Sequence, residues 1–492
     1  GSGGYTSPIQ YTCQPNFVIL VTDGLATGTN PWDESAALYT QDHSSSLPGM
    51  QNIIVHTVGF GIAVSNPDTV LLANDVLQKT ATAGGGNFYD TSSRKELETA
   101  LQTALQQIVA ATFAFATPTI PSTQATGSSK AYLAAFQSNP SRPFWNGYLK
   151  AYQRDSNGNV PVDPVTGLPT NPPVWEAGQV LTTKAAADRN IYTQVGSSRV
   201  DFKTSTTAIT AAMLGVATDT DRANLIDFIR GVDTYDWDLN GNTTEDRPWK
   251  LGDIFHSTPV LVTPPLAPST DSGPGSYTEF KTNNASRTTI LLAGANDGML
   301  HAFRDDTGEE LWGFIPPDLL SSLKLLTDIG QHPFFVDGNP IVADVQVSGA
   351  WKTIVIFGER RGGRYYHALD ITDTTNPQYL WSFTDTKMGE TWSNPVIGKI
   401  LMADGSTKFV AFVGGGYDTA QNNNTGKAVF GIDLSTGSKL WEYYHATGAT
   451  DDSQYMNFSI PADVTAAAVN NNNGYIDRLY VGDIGGQVWK FD

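Results

Sequence analysis

Apolar and polar positions follow two different patterns along the chain, and the change falls near residue 115. In the first part, NFVILVTD (16–23) and NIIVHTVGFG (52–61) are continuous apolar runs, which are typical of parallel strands covered on both faces. The segment 69–90 has the spacing of a helix, a glycine stop and a short strand. Strands that alternate with helices predict a parallel sheet with right-handed crossovers.

The middle region, residues 116–250, has a less regular pattern. The segments KAYLAAFQSNP and FWNGYLKAYQRD have the alternation of paired strands, and RANLIDFIRG (222–231) has the spacing of a short helix. We therefore predict a β-rich connecting region whose last part is a polar loop rich in aspartate and asparagine.

The third region, residues 251–492, contains a degenerate repeat that occurs four times. Each copy has an apolar strand, a glycine turn, a second strand and a polar turn, and the first three copies close with Trp312, Trp381 and Trp441. These tryptophans are 69 and 60 residues apart, and a blade takes roughly 40–50 residues, so we predict a β-propeller whose blades carry insertions. A β-sandwich with similar hairpins is the alternative. The fourth copy stops in mid-pattern, which leaves open whether the propeller is complete.

Charge and composition narrow the choice of partners. The formal charge of −19 and the lack of a basic patch argue against a nucleic-acid backbone and favour calcium or a basic protein surface. No window of about 18 apolar residues occurs, so we predict no membrane span. Cys13 is the single cysteine, and either its partner lies in sequence beyond this chain or its thiol is free.

Five motifs occur in order along nearly the whole chain: CQPNFVILVTDG, RPWKLGDIFHSTPVLV, AGANDGMLHAF, GGRYYHALDIT and DRLYVGDIGGQVWKFD. Together they resemble the PilY/PilC family, the adhesins and biogenesis factors associated with the type IV pilus tip. The resemblance implies a multidomain fold. It comprises the C-terminal half of a von Willebrand factor A-like, Rossmann-like α/β domain over 1–115, a β-rich region over 116–250, and a quinoprotein-like β-propeller over 251–492.

The same resemblance implies a function outside the cell. It implies surface attachment, twitching motility and pilus assembly together with minor pilins, at the pilus tip, after export through the periplasm. We therefore expect minor pilins and a host or abiotic surface receptor as partners.

Asp23 ends the first apolar run, directly before a glycine. In a von Willebrand A domain, a metal-ion-dependent adhesion site lies at the carboxyl ends of the parallel strands, where open α/β sheets bind ligands. This site is formed by a DxSxS loop after the first strand, a threonine on a second loop and an aspartate on a third loop. The resemblance implies that Asp23 is this aspartate, with Ca2+ or Mg2+ as the ion. No DxSxS precedes residue 16, so Asp23 is a ligand only with upstream sequence, and an Asp-Gly turn is the alternative.

The segment DWDLNGNTTEDR (236–247) has the ligand spacing of a calcium loop. Calcium takes roughly six to eight hard oxygens, and alternate residues of a tight loop point such oxygens inward. Position 12 is Arg247 rather than glutamate, so a carboxylate at 245 or 246 must close the shell. A solvated Asx-rich turn is the alternative. The candidate Ca2+ ligands are Asp236, Asp238, Asn240, Asn242 through its carbonyl, and Glu245 or Asp246.

The segment NNNNGYID (470–477) is a weaker copy of that loop. With Gly474 at position 6, position 1 falls on Val469, which has no ligating side chain. A site with one carboxylate should bind calcium weakly. Its candidates, at positions 3, 5, 7 and 9, are Asn471, Asn473, Tyr475 and Asp477.

Two other patterns favour ordinary structure over a site. His301 and His367 take equivalent places in two copies of the repeat. In the next two copies we assign Gly431 and Lys490 to those places. We therefore expect two strand histidines and no metal cluster in the channel. IRGVD (229–233) resembles an integrin-binding Arg-Gly-Asp motif, but an inserted valine breaks it.

No catalytic motif occurs: the sequence has no Walker loop, no G-x-S-x-G elbow and no H-E-x-x-H. We therefore predict that the protein is not an enzyme. The resemblance to the PilY/PilC family, together with the calcium-type loop, implies a calcium-binding adhesin. The alternative is a propeller dehydrogenase that uses pyrroloquinoline quinone, because DGMLHAFRDDTGEELW and FGIDLSTGSKLW resemble the repeats of such enzymes. Many of them carry a vicinal disulfide, which one cysteine cannot form.

Overall fold

The structure is a computed structural model of the 492-residue chain. It describes residues 9, 16–22, 30–44, 51–60, 67–91, 96–97, 100–101, 113–115, 129–139, 142–162, 169–267, 269–328, 332–469 and 474–492. The chain divides into two compact units, residues 1–113 and 114–492.

The first unit is built on three parallel strands that lie in sequence order. A helix follows each of the first two strands, which confirms the predicted alternation of strand and helix. The elements are β1 (Asn16–Thr22), α1 (Pro31–Thr40), β2 (Ile53–Phe60), α2 (Pro67–Ala83) and β3 (Gly85–Thr91).

Burial in this unit follows the position of each strand in the sheet. Strand β2 is central, and Val55 and Val58 on it are 3% and 0% exposed. Strand β1 is at the edge of the described sheet, and Val18, Leu20 and Val21 on it are 39%, 38% and 48% exposed. The prediction that the first apolar run is covered on both faces is therefore wrong for β1, since Leu20 and Val21, which point to opposite faces, are both exposed.

The second unit contains five β-sheets within its described residues, and they follow one another along the chain. Sheets 1, 3 and 4 have four strands each, sheet 5 has three, and sheet 2 has six because a hairpin extends it. Sheet 1 contains β4 (Phe113–Phe115), β5 (Lys130–Gln137), β6 (Asn146–Gln153) and β7 (Trp175–Glu176). Sheet 2 contains the hairpin β8 (Ile191–Val195) and β9 (Ser198–Asp201), followed by β10 (Val260–Val262), β11 (Ile290–Gly294), β12 (Leu300–Arg304) and β13 (Glu310–Phe314).

The remaining sheets are simple antiparallel meanders. Sheet 3 contains β14 (Ile341–Val347), β15 (Ala350–Gly358), β16 (Tyr366–Asp370) and β17 (Gln378–Phe383). Sheet 4 contains β18 (Val396–Leu401), β19 (Thr407–Gly414), β20 (Ala428–Asp433) and β21 (Lys439–Tyr444). Sheet 5 contains β22 (Thr465–Ala467), β23 (Arg478–Gly482) and β24 (Val488–Phe491). This succession of separate sheets is the arrangement predicted for propeller blades.

Short helices join the sheets of the second unit. They are α3 (Ala177–Thr182), α4 (Asp219–Arg230) and α5 (Tyr277–Asn283), with 3-10 helices at Ala186–Asp188, Pro317–Leu326 and Asp452–Tyr455. The helix predicted at 222–231 is α4, and it begins earlier because Thr218 and Asp221 form a capping box. In the described part of the chain, no helix is both long and apolar enough to span a membrane.

The closing tryptophans join successive sheets. The indole Nε1 of Trp312 in sheet 2 donates to the carbonyl oxygen of Thr374 in sheet 3 over 2.9 Å. Trp381 in sheet 3 makes the same kind of bond to Leu434 in sheet 4, also over 2.9 Å. Apolar side chains fill the space between neighbouring sheets, so that the core is divided into layers. The repeat seen in the sequence therefore encodes the contact between blades.

Sheet 1 is a blade-like sheet that the sequence pattern did not predict as such. Trp175 in its last strand donates to the carbonyl oxygen of Asp305 in sheet 2 over 2.7 Å. Lys130 donates to the same oxygen over 2.6 Å, and its ammonium lies 3.1 Å from the Asp305 carboxylate. The strands predicted at KAYLAAFQSNP and FWNGYLKAYQRD are confirmed as β5 and β6. Part of the region predicted as a connection is thus packed against sheet 2 in the manner of the later blades.

Candidate metal-binding loops

The loop 236–247 lies between α4, which ends at Arg230, and β10 of sheet 2, which begins at Val260. Gly231 ends the helix with a φ of 120°, a conformation that favours glycine. Two backbone bonds close the base of the loop: Asp233 N–H donates to the Glu245 carbonyl over 2.8 Å, and Arg247 N–H donates to that of Gly231 over 2.7 Å. The two ends of the loop are therefore held together by backbone hydrogen bonds.

Side-chain oxygens in this loop point back toward its own backbone. Gly241 N–H donates to Asp236 Oδ1 over 3.0 Å, Asn240 N–H to Asp238 Oδ1 over 3.2 Å, and Asn242 N–H to Asn240 Oδ1 over 2.7 Å. Positive φ angles of 50° at Asp236 and 83° at Gly241 accompany these turns. The residues at positions 1, 3 and 5 thus lie around one tight bend, as the sequence spacing predicts.

Glu245 lies with these residues, whereas Asp246 does not. The side-chain amides of Asn240 and Asn242 both donate to the Glu245 carboxylate, the second over 3.1 Å. The Asp246 carboxylate instead accepts from Ala186 N–H over 2.8 Å and lies 3.3 Å from Lys250 Nζ. Of the two carboxylates that the sequence left open for closing the shell, the geometry therefore favours Glu245.

Arg247, at position 12, is an anchor and not a ligand. Its guanidinium carbon lies 4.3 Å from the ring centre of Phe144 and 4.1 Å from that of Phe228. Its Nη2 donates to the Phe228 carbonyl over 3.0 Å. Burial, together with the positive charge of Arg189, lowers the pKa of Arg247 to about 9. The departure from calcium-loop spacing at this position thus has a packing reason.

The second predicted loop is described only in part. Asn471 and Asn473 lie outside the described residues, as does Asp23 at the predicted adhesion site. Asp477 Oδ1 accepts from Val469 N–H over 2.8 Å, which closes the loop by a side-chain-to-backbone bond. The Tyr475 hydroxyl lies 2.9 Å from Thr407 Oγ1, so this side chain contacts sheet 4. These contacts leave the prediction of weak calcium binding here untested.

The broken Arg-Gly-Asp motif is part of the interior. Arg230 and Asp233 are 6% and 3% exposed. Arg230 donates to carbonyl oxygens of Phe202, Ala186 and Arg189 over 2.7–2.9 Å. Asp233 accepts twice from Trp237 N–H. Both side chains shape the base of the calcium-type loop, so this segment is structural, as the inserted valine indicated.

The strand register corrects one assignment made from the sequence. In sheets 2 and 3, each histidine pairs with the residue that precedes the last glycine of the neighbouring strand: Ala293 with His301 and Phe357 with His367. The corresponding pairs in sheets 4 and 5 are Val413 with Phe430 and Val481 with Trp489. Phe430 and Trp489 therefore take the histidine places. The assignment to Gly431 and Lys490 was therefore wrong by one position.

His301 belongs to a buried charge network that sequence reasoning missed. Its Nδ1 lies 2.9 Å from Glu310 Oε1 and its Nε2 lies 3.0 Å from Asp297 Oδ1. Arg189 completes the set with bonds of 2.8 and 2.7 Å to the two oxygens of Glu310. Burial alone would lower the pKa of His301, but the Asp297 and Glu310 carboxylates raise it to about 9. Two cations thus balance two carboxylates, which makes this network a structural one.

Comparison with known proteins identifies the propeller. Residues 251–492 match the family described as the PilY1 beta-propeller domain. The chain is 33% identical over 377 residues to a type IV pilus biogenesis factor PilY1 of Pseudomonas aeruginosa, covering 71% of this chain and 30% of that protein. It is 26% identical over 472 residues to a PilY1 homolog of Xylella fastidiosa, covering 84% of this chain and 30% of that protein.

Among solved structures, a crystal structure of the Pseudomonas aeruginosa PilY1 C-terminal domain aligns with 32% identity and a TM-score of 0.36. That alignment covers 44% of this chain and 41% of the other. The chain spans about a third of the length of the curated relatives that it matches. The match of residues 251–492 and the agreement of the relatives in sequence confirm the resemblance carried by the motifs: the chain belongs to the PilY1 family, through its β-propeller domain.

Proposed function

We propose that this chain acts in type IV pilus biogenesis and surface attachment, as a calcium-binding, tip-associated adhesin that works with minor pilins outside the cell. The observation that carries the proposal is the convergence of Asp236, Asp238, Asn240 and Glu245 directly before the PilY1 propeller domain. The names of the relatives, type IV pilus biogenesis factors, support the assignment to pilus biogenesis.

Calcium would act on the entry into the propeller. Without an ion, the like charges of Asp236 and Asp238 repel each other and Glu245 within one tight bend. A bound Ca2+ supplies the positive charge and takes hard oxygens at about 2.3–2.6 Å. Because the bonds at Asp233 and Arg247 close the base of the loop, ordering of the loop would also order the segment that leads to β10.

The calcium proposal is tested by thermal melts of wild type and Asp236→Ala, each with calcium and with a chelator. Wild type should gain stability of order RT ln(1 + [L]/Kd) with calcium, and the variant should gain none. Asp155→Ala is the matched control, because Asp155 also accepts from two backbone N–H groups in a polar turn. Identical melts of wild type in calcium and chelator, or a calcium gain kept by Asp236→Ala, would overturn the assignment.

Minor pilins are the proposed partners of residues 251–492. Acidic strand edges and loops of the propeller suit recognition by backbone pairing and by basic protein surfaces. Co-purification of the full chain with tip pilins tests this, against a chain that lacks 251–492. Undiminished pilin binding by the shortened chain would contradict the assignment.

The first unit is proposed as part of a von Willebrand A-like adhesion module for a host or abiotic surface receptor. Among its described residues, the parallel strands β1, β2 and β3 and the helices α1 and α2 support an α/β fold of that kind. The adhesion-site ion, Ca2+ or Mg2+, would need Asp23 together with loops from upstream sequence. Magnesium-dependent surface binding by a longer protein, lost in Asp23→Ala and kept in Asp42→Ala, is the expected result.

The dehydrogenase alternative has its own readout. A quinone-dependent enzyme would change its absorbance when pyrroloquinoline quinone and calcium are added, and it would oxidise alcohols or sugars. The adhesin proposal expects neither signal from the purified chain. Turnover of a sugar or alcohol would overturn it in favour of the enzyme.

A further inference from the structure

Three side chains that can ligate a metal meet where sheets 2 and 3 adjoin. Asp318 lies in the first turn of the 3-10 helix that follows sheet 2, Glu359 directly follows β15, and His367 lies in β16. His367 Nε2 lies 3.0 Å from Glu359 Oε1 and 3.2 Å from Asp318 Oδ1. The ligand atoms of all three lie within 4.8 Å of one another. The three residues extend from 318 to 367 in the sequence, so the spacing of a local motif does not reveal the cluster.

The distances fit a metal as well as they fit an ion pair. Zinc binds imidazole nitrogen and carboxylate oxygen at about 2.0–2.2 Å, so neighbouring ligand atoms of a tetrahedral site lie about 3.3 Å apart. The two separations from His367 Nε2, 3.0 and 3.2 Å, are close to that edge length. Distances alone therefore do not separate the two cases, and charge has to decide.

The His301 network gives an internal comparison. There, Asp297 and Glu310 are balanced by His301 and by Arg189, whose guanidinium contacts both oxygens of Glu310. At His367, two carboxylates face one imidazole, and no described ion pair joins Asp318 or Glu359 to a lysine or arginine. The second cluster thus lacks the cation that completes the first. Unbalanced charge in the interior is costly, and a bound cation removes that cost.

One carboxylate oxygen in the cluster also lacks a hydrogen bond. An imidazole nitrogen carries at most one hydrogen, and Glu359 Oε1 accepts it from His367 Nε2. Asp318 Oδ1 is buried and receives no hydrogen bond among the described residues.

The surroundings hold the three groups in place and leave one approach from solvent. Tyr365 N–H donates to Glu359 Oε2 over 3.1 Å, and a Cβ at Gly363 would lie 2.0 Å from that oxygen. The Tyr379 hydroxyl lies 3.5 Å from His367 Nδ1, the position from which a partner orients a ligating imidazole. Glu359 and His367 side chains are 0% exposed, whereas that of Asp318 is 23% exposed. An ion could therefore enter past Asp318.

We propose that Asp318, Glu359 and His367 bind a divalent transition-metal ion of the zinc class, with solvent completing the coordination. One imidazole and two carboxylates favour zinc over calcium, since calcium takes oxygen ligands in greater number. The ion would cross-link sheet 2 to sheet 3 and supply the charge that Arg189 supplies to the His301 network. The site is separate from the calcium-type loop, so each can be tested without the other.

The test is zinc titration of the purified full chain, after chelator treatment and dialysis, by isothermal calorimetry. Wild type should bind about one equivalent, and Asp318→Asn should bind more than about tenfold more weakly, as expected for a lost ligand. Asp306→Asn is the matched control, because Asp306 is an exposed carboxylate of sheet 2 that pairs with Arg304. Its zinc affinity should equal that of wild type, as should that of Glu245→Gln.

Cobalt provides a readout that needs no variant. Co2+ at a site with one nitrogen and two oxygen ligands should give visible d–d bands, and zinc should displace them. If Asp318→Asn does not fold, Tyr379→Phe replaces it, with an expected loss of about tenfold in zinc affinity. Wild type without stoichiometric zinc binding, or equal affinity in wild type and the cluster variants, would overturn the proposal. A calcium gain in the melts together with no zinc binding would leave the proposed function standing and remove this site alone.

Discussion

Trp175 donates its indole hydrogen to the backbone carbonyl of Asp305 across the boundary between sheets 1 and 2. Trp312 and Trp381 make the same connection from sheet 2 to sheet 3 and from sheet 3 to sheet 4. A repeated bond of this kind fixes the spacing of neighbouring blades. The indole ring has to pack between the two sheets while its N–H group reaches an acceptor on the second sheet. The region before residue 251 is thereby tied to the propeller domain.

Trp175→Phe should destabilise the second unit by about 1 kcal/mol, because one buried hydrogen bond is lost while Lys130 still donates to the Asp305 carbonyl. Urea unfolding, followed by circular dichroism, measures the effect. Trp392→Phe is the control, since the Trp392 indole donates to Glu390, two residues away. Its cost should be below about 0.5 kcal/mol. If the two variants lose the same free energy of unfolding, the bond between sheets contributes no more to stability than a local bond does.

The turn glycines complete this contact. Gly437 has a φ of 71°, and a Cβ there would lie 2.5 Å from Trp381 Cγ. Gly405 has a φ of 82°, but no atom lies within 4 Å of its Cβ position. Gly405→Ala should therefore cost about 1–2 kcal/mol, from backbone strain alone. Gly437→Ala should cost clearly more, because Trp381 must also move. Chemical denaturation of both variants tests this, and a smaller loss for Gly437→Ala would contradict the packing argument.

Much of this architecture could be predicted from the sequence, and the omissions have physical reasons. Trp312, Trp381 and Trp441 stand at similar places in long, regular copies, so their repeat was visible. Trp175 lies in β7, a strand of only two residues that follows a polar insertion. Its sequence distance from β5 and β6 differs from the spacing in the later copies, so the repeat did not predict this blade. Periodicity shows which face of a strand is buried, but it does not show which neighbour covers that face.

The two candidate metal sites also differ in how far the sequence could predict them. The calcium-type loop is local in sequence, so the spacing of Asp236, Asp238 and Asn240 predicted their convergence. Asp318, Glu359 and His367 come from separate elements, and their meeting depends on how sheet 2 packs on sheet 3. The choice between Glu245 and Asp246 also needed the fold, because it depends on Ala186, which lies far away in the sequence.

The pKa of His301 implies a pH dependence of stability. The carboxylates of Asp297 and Glu310 raise this pKa to about 9 against burial, from an ordinary value of about 6.5. The imidazolium therefore contributes stability that is fully present below about pH 6.5 and is lost as the pH rises through about 9. The stability difference between wild type and His301→Gln should shrink by roughly 2–3 kcal/mol from about pH 6 to about pH 9.5.

Urea midpoints of both proteins across that pH range give the measurement. His445→Gln is the control, because burial and the nearby charge of Lys427 lower the pKa of His445. Its difference from wild type should not shrink over the same interval. A wild type and His301→Gln pair whose difference stays constant with pH would show that His301 is neutral in the folded protein.

Glu245 and Asp246 provide the sharpest test of the loop, because they are adjacent in sequence and differ in their contacts. Glu245 receives the side-chain amides of Asn240 and Asn242, whereas Asp246 receives Ala186 N–H and faces Lys250. Glu245→Gln should abolish the gain in melting temperature with calcium and leave the stability in chelator nearly unchanged. Asp246→Asn should keep the calcium gain but lower the stability in chelator, because the buried Lys250 ammonium loses its carboxylate. Melts of the two variants in calcium and in chelator decide the matter. If Asp246→Asn loses the calcium gain and Glu245→Gln keeps it, Asp246 closes the shell and the loop must rearrange around the ion.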